Sequence, residues 1–458
     1  MQHTATARLI RGFALSLALP LVVGPVIAAV GAEELAKLKT TLTPMGAERT
    51  GNKDGTIPAW TGTPTPGADG SGPNRRKDPF AGDKLLYSVT AKNLDQHATK
   101  VSDGFQAMLK KYPESFRIDV YPTRRTGIAP QWVYDNTAKN AANARLVDTP
   151  SGQIPENAYG GIPFPIPKSG VEVMWNHILR WRSTAYTYNA RGYQVTSDGR
   201  WLMLNDIQVN AQYPYYIPDG AEKFNGEYLL VRQLVHGPAM RAGETITGRL
   251  AIDDDKSATW VYLTGQRRVR KLPNPCCDTP GPFSAGVATF DEVNVFTGRT
   301  NRFDWKLIGK KEMLIPYNSN RTYVPANDKD LFGPNHLNPD HVRWEMHRVW
   351  VVEATVRAGQ RHTSAKSRYY IDEDTWQAVM AERYDTAGNL TRVPFAVPIV
   401  LSDGPTTEQF MWGVYDLVGG STFITGFHNE KESFFRKEPS LFPASRFTPD
   451  AMAGEGVR

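Results

Sequence analysis

The densest group of ionisable side chains in this 458-residue chain is His336, Asp340, His341, Glu345 and His347. Two histidines and a carboxylate can hold zinc, and a bound zinc can activate water for hydrolysis. His341 and Glu345 would share one face if the segment were helical. The spacing is not HExxH, however, and Met346–Val356 alternates as a strand does. His336, His341, Glu345 and His347 are therefore the metal-ligand candidates of a metal-dependent hydrolase. The reading preferred over that one is a structural network of histidines paired with carboxylates.

Other patterns carry less chemistry. Gly281-Pro282-Phe283-Ser284-Ala285-Gly286 is the nearest approach to a nucleophile elbow, but its spacing is wrong and its entry is rich in proline. Thr50–Thr61 resembles a calcium loop at Asn52, Asp54, Gly55 and Ile57. Threonines occupy its first and twelfth places, where carboxylates are needed, so a tight turn is expected. The only cysteines, Cys276 and Cys277, are adjacent. They could close a strained vicinal disulfide, although two thiols are preferred. Arg267, Arg268, Arg270 and Lys271 form the densest basic run. As a strand it would put Arg268 and Arg270 on one side, Arg267 and Lys271 on the other. It reads either as a solvated edge paired with acids such as Asp278 and Asp291, or as a dock for anionic lipid or an acidic partner. No Walker loop or dinucleotide turn is present, and no cofactor is expected.

These groups must be positioned outside the cytoplasm. Arg8 and Arg11 precede an uncharged run from Gly12 to Val30, and the small residues that follow predict signal cleavage near Ala32. No later run is apolar for long enough to span a bilayer. Less the two arginines of the leader, 51 basic side chains face 47 acidic ones. That slight imbalance gives no reason to expect a nucleic-acid partner. With 11 Trp, 19 Tyr, 19 Phe, 33 Pro and 39 Gly, the composition suits short strands and turns.

Helices are expected at Glu33–Lys39, 93–112, Thr137–Arg145 and Val171–Leu179. Strands are expected at Ser183–Val195, Trp201–Gln212, Glu227–Val235, Glu244–Ile252 and Thr259–Thr264, and again at Met346–Val356, Ser367–Ile371 and Gln377–Tyr384. The short turns between them imply an antiparallel meander curved over helices, a β-rich α+β fold. The expected division is a signal peptide at 1–32, an extended arm at 33–92 and a single half-barrel domain with helical insertions at 93–458.

Four blocks carry a likeness. They are Leu42–Arg49 with Gly51–Trp60; Gly265–Arg270 with Asp278-Thr279-Pro280; Asp304-Trp305-Lys306 with Gly309–Glu312 and Pro316-Tyr317-Asn318; and Leu337–Asp340, His347–Ala354 and Tyr370–Trp376. Together they resemble the domain-of-unknown-function family 1329, a group of exported bacterial proteins. Cys276-Cys277 departs from the family's aliphatic-then-aromatic pattern.

The resemblance implies a curved antiparallel half-barrel like that of the lipoprotein carriers LolA and LolB, around an apolar cavity. It also implies association with an RND-type exporter and an outer-membrane protein, and it brings no catalytic residues. The expectation is a periplasmic carrier of a lipid or other hydrophobic molecule, not an enzyme, with peripheral membrane contact. Cavity candidates are Trp181, Tyr186, Tyr188, Trp201, Tyr228, Trp260, Tyr262, Trp350 and Tyr369. The alternatives are the hydrolase above and a non-catalytic adaptor between envelope transport proteins.

Overall fold

Alternating apolar and polar side chains from residue 185 onward condense into two consecutive meanders of one sheet. The computed structural model describes residues 30–65, 67, 77–273, 276–431 and 434–455. The first meander comprises β1 (Ala185–Val195), β2 (Trp201–Gln212), β3 (Glu227–Gly237), β4 (Thr245–Ala251), β5 (Ala258–Leu263) and β6 (Arg268–Lys271). The second comprises β7 (Phe303–Pro316), β8 (Trp344–Val356), β9 (Lys366–Asp372), β10 (Ala378–Tyr384), β11 (Leu390–Leu401), β12 (Thr406–Asp416) and β13 (Thr422–Phe427). Within each meander every strand pairs antiparallel with the next, and β13 returns to pair with β1 through Thr422↔Val195 and Ile424↔Tyr193. β7 and β6 are left as the two ends of an unclosed, curved sheet. Three short strands, Tyr87–Val89, Ile118–Val120 and Phe435–Lys437, complete the sixteen. Ile118–Val120 meets β8 in parallel, at Val120↔Trp344.

The expected β-rich half-barrel is the observed fold. Five of its thirteen meander strands, β6, β7 and β11–β13, were not among those expected, β6 being read as a strand only conditionally. In β11, Pro394 and Pro398 mask a strand that alternation alone would suggest. Pro398 sits where the register against β12 slips between Val397 and Ile399, and its carbonyl accepts from Ser319 N at 2.8 Å. A bulge is one of the few places a sheet interior tolerates proline.

Of the helices, α1 (Asp103–Lys111) packs on β10 and β11, α2 (Gln131–Asn143) lies against the loop at 159–162 and Trp181, and α3 (Gly170–Ile178) packs on the sheet; the C-terminal helix Pro449–Glu455 meets β4, β5 and β6. The single helix expected over 93–112 is broken before α1, where Ser102 becomes an N-cap and its Oγ accepts from Phe105 N. Phe105 then packs edge-on to Trp344, 4.8 Å between ring centres. α2 starts six residues before its expected first residue, Thr137, and runs from Gln131. α3 is set by a capping box between Ser169 and Glu172 and lies across β7 and β8.

In the region expected as an arm, Ala32–Lys37 is a short helix, and Met45, Ala47 and Ile57 are buried against the body. Gly46 has φ +97°, and a Cβ there would stand 2.0 Å from the Pro165 carbonyl oxygen, so only glycine fits. Residues 1–29 of the expected leader lie outside the described residues. Among the described residues no helix is long and apolar enough to cross a membrane.

Candidate functional site

After α3 the chain leaves the helix through the turn residue Leu179, and Arg180 and Arg182, two residues apart, reach the same space. Ser183, at φ 75°, then turns it into β1. Both arginines line a cavity of about 290 Å³. Its walls come from alternate residues of consecutive strands: Ile207, Val209 and Ala211 of β2, Leu229 and Val231 of β3, Ile246 and Leu250 of β4. Phe410 and Trp412 of β12 and Phe423 of β13 extend the wall across the seam where the meanders join. Residues from the connection between β6 and β7, among them Phe283, Phe290 and Phe296, cover it.

Arg180 and Arg182 form one polar end of this mainly apolar space; Asp254, the other charged lining residue, is held by Arg299 at 2.6 Å. Arg182 grips Glu408 with two hydrogen bonds, Nε to Oε2 at 2.8 Å and Nη2 to Oε1 at 2.9 Å. Glu408 also accepts from Gln409 N at 2.8 Å and from the Tyr186 hydroxyl at 3.3 Å, and Tyr186 and Tyr213 share a hydroxyl contact of 2.9 Å. Burial alone would push the Glu408 carboxyl up, but Arg182 and Arg180 outweigh it and hold it below its usual range. Glu408 is thus fully engaged.

Arg180 is not. Its Nη1 donates to the His177 carbonyl at 2.8 Å and its Nη2 stands 3.8 Å from Glu408 Oε1. Nε and Nη2 are buried with no hydrogen-bond acceptor. Burial, then repulsion from Arg182, lowers its pKa to about 9, which leaves it charged at neutral pH. His177 adds no charge: its Nδ1 accepts from Ala378 N at 2.9 Å, so the proton sits on Nε2, facing Phe296 O at 3.0 Å. Burial holds its pKa well below the ordinary value. Two cations against one anion leave this end with one net positive charge. Asn205 Oδ1 and Gln409 Oε1, also of lining residues, are buried without donors.

Of the nine aromatic candidates, Tyr186, Tyr188 and Tyr228 line the cavity. The others sit elsewhere. Trp181 donates to Pro405 O and packs on Trp132 and Tyr216. Trp201 stacks on Phe332 at 4.0 Å, and Trp350 lies under Lys310 and beside Trp376. Trp260 and Tyr262 face Lys271 and Val269 across the β5–β6 pairing. Tyr369 is buried between Phe296 and Arg383. Arg180, Arg182 and Glu408 escaped sequence reasoning. The signal for the arginines is an Arg-x-Arg pair flanking Trp181 directly after the apolar Ile178-Leu179, with no acid nearby in sequence to neutralise it.

Of the four metal candidates the fold unites two. His347 Nε2 donates to Glu345 Oε2 at 3.1 Å, and its Nδ1 lies 3.4 Å from Asp372 Oδ1. Burial opposes a charged ring, but the hydrogen bonds to Asp372 and Glu345 win and raise the His347 pKa to about 9. His336 is held by Ser115 and its own chain, and His341 ends a separate short turn. Donor atoms of His347, Asp372 and Asp374 come within 4.8 Å of one another, a separation a cation could bridge. A protonated His347 has no lone pair for a metal, and Arg125 already holds Asp374 at 2.7 and 2.9 Å. The group's chemistry fits a charge network better than a metal centre.

A sequence family, "Protein of unknown function (DUF1329)", matches residues 88–453. The chain belongs to the DUF1329 family. An uncharacterized protein of Pseudomonas aeruginosa is 38% identical over 96% of this chain and 97% of its own length. A DUF1329 family protein from Desulfovibrio piger aligns with 59% of this chain and 92% of its own, at 13% identity and TM-score 0.40. A LolA superfamily protein from Nitrosomonas europaea aligns with 62% of this chain and all of its own, at 12% identity and TM-score 0.36.

Three of the four DUF1329-like blocks meet at one buried clasp that ties the N-terminal segment to the body. Arg125 donates to the carbonyls of Glu48 (2.7 Å) and Pro58 (3.3 Å) while gripping Asp374. Lys310 bridges Glu48 and Glu373, and Trp376 Nε1 donates to Met45 O at 2.8 Å. The calcium-like stretch is a turn: Asn52 Oδ1 accepts from Ile57 N at 2.9 Å. Ser284 is spent on Gly281 O and Ala288 O within its own loop.

Cys276 and Cys277 are thiols, and Cys276 lines the cavity. The basic run forms the exposed end strand β6, with Arg267 in the left-handed turn before it. The acids offered as its partners are engaged elsewhere: Asp278 with Arg302, and Asp291 with His362 and Arg383. Arg267, Arg268, Arg270 and Lys271 make no ion pair among the described residues.

Proposed function

We propose that this DUF1329 protein is a periplasmic carrier that encloses a lipid or another hydrophobic molecule and performs no covalent chemistry. The observation that carries the reading is the cavity inside the curved sheet, walled mainly by aliphatic and aromatic side chains, with Arg180 and Arg182 at one polar end. That is the layout of sites that bury apolar ligands. At about 290 Å³ it lies near the lower bound of the ~300–1,000 Å³ common for small-molecule sites, which suits one hydrocarbon chain. Burial of that chain supplies affinity at roughly 25 cal/mol per Å².

Its delivery partners, in this reading, are an RND-type exporter and an outer-membrane protein. The basic strand β6 is the surface offered to anionic lipid or an acidic partner. Native mass spectrometry of protein purified from its own periplasm tests the proposal. A co-purifying lipid-like mass is expected, together with a higher melting temperature in the presence of that molecule. A clean spectrum and no thermal shift across a lipid panel would overturn it.

A further inference from the structure

The net positive charge at the closed-in polar end has a chemical meaning that apolar walls alone do not. Arg182 and Glu408 neutralise each other through a bidentate pair. Arg180 is left over, its side chain only 2% exposed, with Nε and Nη2 lacking acceptors. A buried guanidinium in that state is a standing penalty to the empty protein, since two of its three nitrogens meet no acceptor. A filled core would avoid the penalty with an uncharged side chain. What relieves it is an acceptor of opposite charge delivered into the cavity.

We infer that the carried molecule is an amphipathic anion, a single hydrocarbon chain ending in a carboxylate or phosphate that docks on Arg180. The planar fork of the guanidinium suits either headgroup. Tyr186 and Tyr213 keep their protons, because burial pushes both phenols up, so neither adds negative charge against the incoming anion. The Ile207, Val209 and Phe410 walls take the tail. The inference rests on the carrier reading and specifies its cargo.

The test is calorimetric titration of the delipidated, leader-free chain with laurate, dodecyl phosphate and dodecanol. One charge-assisted hydrogen bond pair predicts that an acid binds about 30-fold more tightly than the alcohol. R180M should erase that preference to within about threefold and leave dodecanol binding in place, whereas R180K, which keeps a charge on the same stem, should retain part of it. Whichever acid shows the preference identifies the headgroup. Equal binding of all three to the natural chain, or a preference that survives R180M, overturns the anion while leaving the carrier standing. Binding of none of the three removes both. If R180M fails to fold, the natural chain's preference and its change in R180K decide the matter.

Discussion

Replacing Arg180 with methionine should make the empty protein more stable. The drop of the guanidinium's pKa to about 9 measures how much the folded environment disfavours the charge. At roughly 1.4 kcal/mol per tenfold in proton affinity, the penalty has an upper bound near 5 kcal/mol. Methionine, of similar length and unbranched, removes it and gives up the hydrogen bond from Nη1 to the His177 carbonyl, worth about 1 kcal/mol. Glu408 keeps both bonds from Arg182 and the one from Gln409 N, so no new unpaired charge is created. The net expectation is a gain of about 2–4 kcal/mol at pH 7.

The sign follows from linkage. Between about pH 9 and the ordinary arginine range the unfolded chain holds a proton that the folded chain has released, so stability rises with pH only there. At pH 7 the penalty is fully present. Urea titration of the delipidated protein and of R180M, followed by tryptophan fluorescence, reads the difference directly. For a chain of this length the melting temperature should rise by about 2–4 °C. A loss of more than about 1 kcal/mol would refute the reasoning, because Arg180 would then be a structural pillar held by contacts worth more than its burial costs.

Three further outcomes are expected. His347, raised to about 9 by Asp372 and Glu345 against burial, binds its proton more tightly folded than unfolded. It therefore contributes up to roughly 3 kcal/mol that is complete below its ordinary value and is lost as pH rises through 9. Denaturation midpoints should fall across pH 7–10, and less steeply in His347→Gln. Arg125→Met should cost about 3–5 kcal/mol by stranding Asp374, and should open residues 38–60 to limited proteolysis read by mass spectrometry. The bond with Cys277, opposed by burial and aided by Arg302, lowers the Cys276 thiol to about 7. Iodoacetamide should label Cys276 with a midpoint near that pH and leave the buried Cys277 far behind; equal labelling of the two would contradict the assignment.

How much of this was legible beforehand varied with the physics involved. Trp201–Gln212 announces itself because Ile207, Val209 and Ala211 alternate with the polar Gln208, Asn210 and Gln212, and its Asn205–Val209 stretch alternates buried with half-buried residues. β13 hides because all six of its residues are buried, leaving no alternation to see. β7 hides behind Lys306 and Lys311, exposed on an end strand, and behind Lys310, which is engaged by Glu48 and Glu373. The aromatic candidates were chosen by type, and type does not tell a wall from a core: Tyr188 lines the cavity, while Tyr369, just as apolar, is packed under Arg383. Arg180 and Glu408 lie 228 positions apart, so their meeting is a property of the β12–β13–β1 seam that no local pattern encodes.

The same seam governs timing. β1 emerges from synthesis more than two hundred residues ahead of β13, the strand that pairs with it at Thr422↔Val195. Until then β1 is a bare edge with unpaired amides, open to whatever strand arrives first, and long-range pairing of this kind is slow to form. Phe410, Trp412 and Phe423 belong to the last strands made, so the cavity has no far wall until the chain is nearly complete. On the carrier reading proposed above, cargo would be taken up only by a finished molecule, and a chain cut short before residue 422 would be both empty and prone to aggregate.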